Sequence, residues 1–210
     1  MKHVVLLGDS IFDNKAYVDD GPDVIAQLRR KLPGDWRATL LAVDGSMTTN
    51  IRRQLERLPD DTTHLIVSIG GNDAMDSADI LNSSASSTAD ALHQLAAKAD
   101  QFEYNYQTML REILERDLPT ALCTVYYPRM PEPEQQRLAV TALTVFNDYI
   151  IRAAISAHLP LIDLRLICDD DGDYANPIEP SVQGGDKITG AIARLLLQHN
   201  FEQRRTVVFI

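Results

Sequence analysis

The segment LLGDSIFDN, Leu6 to Asn14, runs from an apolar stretch into Gly8, Asp9 and Ser10, the pattern of a strand ending in a turn that carries a hydroxyl. Three further turn-rich segments carry reactive or hydrogen-bonding side chains: Asp44–Gly45–Ser46, Gly70–Gly71–Asn72–Asp73, and DDDGDYANPIEPSVQGG before the last helical pattern. Singly, each is as ordinary as a turn or a helix cap. On one edge of a fold they would supply a hydroxyl, small residues that let backbone N–H groups approach a ligand, and a side-chain amide. An acyl-transfer site needs that set: a nucleophile and several donors aimed at a developing oxyanion.

Five stretches read as buried strands able to bring those turns together: Val4–Leu7, Ala38–Val43, His64–Ile69, Ala121–Tyr126 and Leu161–Leu166. They are rich in Val, Ile and Leu with little alternation, as strands covered on both faces are. Helical patterns lie between them. Leu92, Leu95, Ala99, Phe102, Tyr106, Met109 and Ile113 follow at steps of three and four. A helix from Pro133 has Leu138, Ala142, Val145, Tyr149 and Ala153 on one face, and another opens with Pro22 at its first position. TNIRRQLERL supplies a helix between strands two and three, and the last runs from about Gly185 to Gln198. This alternation predicts an α/β fold, a three-layer α/β/α sandwich on a five-stranded parallel sheet, forming a single domain over residues 1–210. In such a sheet the ligand lies beyond the carboxyl ends of the strands, the edge to which all four turns are delivered. Asp73 to Leu92, only weakly periodic, reads as a loop or partial lid beside that edge, and the apolar tail Thr206–Ile210 as packing on its own sheet.

A net charge of −10 argues against nucleic acid or an anionic membrane surface as partner. Cys123 and Cys168 have no ligand cluster near them, so no disulfide framework or zinc site is expected. Neither a signal-peptide core nor a membrane span is evident, and the expected location is cytoplasmic. No cofactor or metal is called for: the acidic run CDDDGDY lacks the full calcium-loop spacing and reads as a solvated turn. Oligomeric state is left open.

The ordered set GDS, VDGSMT, GGND and EPSVQGGDKI resembles the SGNH hydrolase superfamily, the GDSL esterases and lipases, over essentially the whole chain. The resemblance implies a flavodoxin-like sandwich and a small-molecule ester or thioester substrate. It assigns Ser10 as nucleophile, with the backbone N–H groups of Ser10 and Gly45 and the side-chain amide of Asn72 as oxyanion hole.

The fourth block departs from the family's Asp-x-x-His-Pro. Asn176 falls on the aspartate and Glu179 on the histidine. His3, His64 and His158 belong to the amino edge of the sheet and His199 to the far end of the last helix, which leaves His93 as the one histidine with a route to the site. Glu179 is the preferred base: held between Pro177 and Pro180 beside Ile178, it sits where burial would raise its pKa to about 6 or 7. The neutral Asn176 side chain is placed to hydrogen-bond it. Tyr127 and Arg129, in the loop after strand four, are expected to contact substrate. Two alternatives stand beside the hydrolase: a non-catalytic binding protein for an acyl or acetylated-sugar ligand on the same scaffold, and a phosphate binder. Against the latter, the first turn lacks a G-x-G-x-x-G or P-loop lysine and sets Asp9 where the phosphate would approach.

Overall fold

A computed structural model describes residues 1–210. Six parallel strands form one sheet in the order β2-β1-β3-β4-β5-β6: β1 Lys2–Gly8, β2 Trp36–Leu40, β3 His64–Ser68, β4 Thr120–Cys123, β5 Leu161–Ile162 and β6 Val208–Phe209. The helices are α1 Val24–Lys31, α2 Ile51–Leu55, α3 Gly71–Asp76, α4 Thr88–Leu114, α5 Pro133–Ser156, α6 Leu164–Ile167 and α7 Val182–Gln198. One core packs α1, α6 and α7 on one face of the sheet, and a second packs α2, α4 and α5 on the other. The three layers match the sequence expectation; the strand count does not. Val208 and Phe209 pair with Leu161 and Ile162 as a sixth, edge strand, too short to carry a strand signature of its own.

Two further differences have local causes. The fifth strand stops at Ile162 because the Asp163 carboxylate accepts from the Arg165 backbone N–H and starts a helical turn. Pro22 lies outside α1, whose N-cap is Asp23, bonded to the Ala26 N–H at 2.9 Å.

Helix α5 carries the most consequential difference. Its core face is Leu143, Phe146, Ile150 and Ala154, one position on from the expected stripe. The residues of that stripe, led by Leu138 at 47% exposure, lie beside the core face. Two adjacent apolar stripes make α5 apolar enough, by length and composition, to cross a bilayer. Leu138 and Ala142 of the second stripe wall a cavity.

The order of strand addition reverses between β1 and β3, and the crevice beyond a reversal is where open α/β sheets place ligands. Gly8 and Ser68 end these two strands and pair with each other.

Candidate active site

Ser10 is the second residue after β1, in a turn held from both sides. The Gln54 side chain grips Gly8 through both of its backbone polar groups, each at 2.8 Å. Buried Asn14 accepts from the Val24 N–H and donates to the Pro180 carbonyl, tying this turn to the loop that carries Glu179. The backbone conformation at Gly45 (φ 75°) is one L-residues rarely adopt.

The second and third turns are bonded together. Asn72 Nδ2 donates to the Ser46 carbonyl at 2.9 Å, while the Asp73 carboxylate accepts the Thr48 hydroxyl at 2.6 Å and its N–H at 3.0 Å. These bonds hold Asp73's pKa down, but burial outweighs them and the net shift is upward. The Ser10 and Gly45 N–H groups donate to no protein acceptor, and Asn72 keeps its second amide hydrogen.

Ser10, Asn72 and Glu179 line one cavity of about 420 Å³. Glu179 is 5% exposed. Burial is the chief cause that raises its pKa to about 7; the Ser10 hydroxyl, acting as donor, pulls it down and the nearby Asp44 charge pushes it up. No regular hydrogen bond joins Ser10 to Glu179, and Glu179 Oε2 has no partner. Asp9 lines the same cavity and, through burial above all, has its pKa raised to about 8, with Glu179 and Asp73 contributing. The shift favours the neutral form of Asp9.

The Glu179 loop is fastened by the segment after β4. The Tyr126 hydroxyl donates to the Ile178 carbonyl at 2.7 Å, and the Arg129 N–H to the Pro177 carbonyl at 2.7 Å. Asn176 does not bond the Glu179 carboxylate: its Oδ1 accepts from the backbone N–H groups of Ile178 and Glu179, each at 3.0 Å, a local turn that shapes the loop.

No histidine lines the cavity. His93 is exposed on α4. His3 is buried against Asp61 and Thr39, and burial lowers His64 to about 4. Tyr127 and Arg129 also stay out of the cavity, which takes Tyr126, Pro128 and Met130 instead. An extended segment alternates its side chains, and this one has the opposite phase to the one expected. Arg129 lies over the Tyr174 ring and pairs with Asp171. In the acidic run, Asp173 is fully buried and bonded to Lys187 and Gln183. Met75, Leu95 and Phe146, also in the wall, are indistinguishable in sequence from core residues.

The profile of the GDSL-like Lipase/Acylhydrolase family matches residues 6–186. No curated protein matches the chain. Among solved structures, the extracellular lipase from Streptomyces rimosus aligns with a TM-score of 0.65 at 16% identity, covering 95% of this chain and 100% of that one. The lipase/acylhydrolase from Enterococcus faecalis aligns at 0.62 and 18% identity, over 93% and 95%. The aryl esterase of M. smegmatis aligns at 0.65 and 14% identity, over 94% and 99%. At such identities the likeness speaks for the fold. The family match carries the assignment: this chain belongs to the GDSL-like Lipase/Acylhydrolase family.

Proposed function

We propose that this protein hydrolyses carboxylic esters with Ser10 as nucleophile and Glu179 as the base. The observation that carries this reading is a buried carboxylate, raised to about 7, facing the hydroxyl that follows β1. Ser10 Oγ attacks the ester carbonyl as its proton passes to Glu179. The oxyanion is received by the Ser10 and Gly45 N–H groups and by Asn72. Protonated Glu179 then donates to the departing alkoxide, and a water activated by the same carboxylate releases the acid. A pKa near the working pH serves both directions of proton transfer. The upward shift of Asp9 works in the same sense, since a second fixed negative charge at this end of the cavity would oppose the oxyanion.

The want of a regular Ser10–Glu179 hydrogen bond and the unpartnered Oε2 favour a second reading, a non-catalytic binding protein on the same scaffold. Catalytic contacts often tighten only when substrate is bound. A fluorophosphonate probe separates the two: Ser10 is expected to be labelled in wild type and not in Ser10→Ala, detected by mass spectrometry of the Ser10 peptide. Absence of Ser10-dependent labelling from pH 5 to 9 would exclude the hydrolase. Asn72→Ala should lower kcat by about 10²- to 10³-fold, the usual result of losing one oxyanion donor, with KM changed little in steady-state assays.

A further inference from the structure

The cavity beside Ser10 is one-sided in both polarity and charge. Of its 25 lining residues 16 are hydrophobic, and its carboxyl groups are those of Asp9 and Glu179; no Lys, Arg or His is among them. Its wall runs along Met75, Leu95, Leu138 and Ala142, the last two from the second apolar stripe of α5. Outside this lining, next to Gly45 in the second turn, lies Asp44, near enough for its charge to raise the Glu179 pKa. Asp44 accepts the Tyr17 hydroxyl at 2.7 Å, and its N–H is bonded to Asp13.

These facts orient a substrate. The leaving oxygen must lie beside the group that protonates it, Glu179, and so toward Asp44. The acyl chain then has the apolar wall of the same cavity to occupy. We infer that the site selects esters that join an extended apolar acyl chain to an uncharged or cationic alcohol, and that it discriminates against anionic alcohols. This selectivity rests on the ester hydrolase reading above. Its physical basis is burial of methylenes on the acyl side and, on the alcohol side, acidic groups with no lining cation to offset them.

Two substrate series test it. With one alcohol and acetyl, butyryl, hexanoyl and octanoyl chains, kcat/KM should rise about fourfold for each added methylene that the cavity accepts. With octanoyl esters of choline, of its uncharged isostere 3,3-dimethylbutanol and of the anionic 2-sulfoethanol, the sulfonate should be the slowest by about tenfold or more, and the gap should narrow at high salt. Ala142→Phe, which fills the wall, should remove the octanoyl advantage, slowing the octanoyl ester more than the acetyl ester; Ala139→Phe gives the same readout if the first variant folds poorly. A flat or inverted order in either series, or equal slowing of acetyl and octanoyl esters by the filled wall, overturns the inference while Ser10-dependent turnover keeps the hydrolase reading. Calorimetric binding of the three octanoyl esters to Ser10→Ala keeps the questions apart: the same order without any wild-type turnover would sink the hydrolase and support the selectivity, and equal binding would overturn the selectivity.

Discussion

Glu179→Gln should lower kcat/KM by about 10²- to 10⁴-fold, the range a general base contributes, and abolish the acidic limb of the pH profile. Glutamine keeps the shape of the side chain and removes the ability to accept a proton. In wild type, kcat/KM should climb about tenfold per pH unit below the Glu179 pKa of about 7 and level off above it. Most hydrolases that use an unperturbed carboxylate would have their limb far lower, near the ordinary glutamate value of about 4.3. A residual limb at pH 7 in Glu179→Gln would mean that another group takes the proton. Glu179→His tests the same position with the residue the family pattern has there, and should restore turnover if the position rather than the carboxylate is what matters.

Stability separates lost chemistry from lost structure. Glu179 and Asp9 both hold their protons more tightly in the folded protein than in the unfolded chain. Their contribution to stability is therefore complete below about pH 4 and is lost as pH rises through about 7 for Glu179 and 8 for Asp9. Glutamine cannot ionise, so Glu179→Gln should unfold no more easily than wild type at pH 8 in a denaturant titration, and the difference should move in its favour between pH 5 and 8. An inactive variant that is equally or more stable is the signature of a site kept at the expense of stability.

The parts of this arrangement that were legible in the sequence were those set by local rules. Apolar runs with little alternation mark strands covered on both faces, and GDS, DGS and GGND each follow such a run, so their delivery to one edge follows from parallel topology alone. The place of Glu179 in the cavity was legible because family order fixed its position and four of the five histidines could be assigned elsewhere by topology. What the sequence did not give away depends on phase or tertiary contact. In α5 both apolar stripes satisfy helical periodicity, and only packing against β4 and α4 decides which becomes core. The loop after β4 offers Tyr126 and Tyr127 equally, and the placement of Tyr126 inside depends on its bond to the Ile178 carbonyl. Asn14 and Gln54 are silent in sequence because each acts on backbone groups far along the chain, Asn14 on Pro180 and Gln54 on Gly8.

The glycine that opens the motif should prove as intolerant as the serine that ends it. Gly8 has φ 141°, and a Cβ there would lie 1.8 Å from the Ser68 carbonyl oxygen and 2.8 Å from its carbon, both backbone atoms of the adjoining strand. Neither can move without parting β1 from β3, because Asp9 N–H is bonded to that same Ser68 oxygen. Gly8→Ala combines a strained φ with overpacking, each costing about 1–3 kcal/mol, so a loss of about 4 kcal/mol and a fall in Tm of about 8–16 °C are expected. Turnover should fall with it even where the variant stays folded, since Ser10 and the β1–β3 crevice shift together. Gly190→Ala is the matched control. It lies within α7, its added Cβ meets nothing within 4 Å, and relief of a helical glycine should stabilise the protein by up to about 1 kcal/mol. Thermal unfolding of the two variants should therefore move in opposite directions; a Gly8→Ala protein as stable as wild type would show that β1 and β3 are not held as close as the Ser68 contact requires.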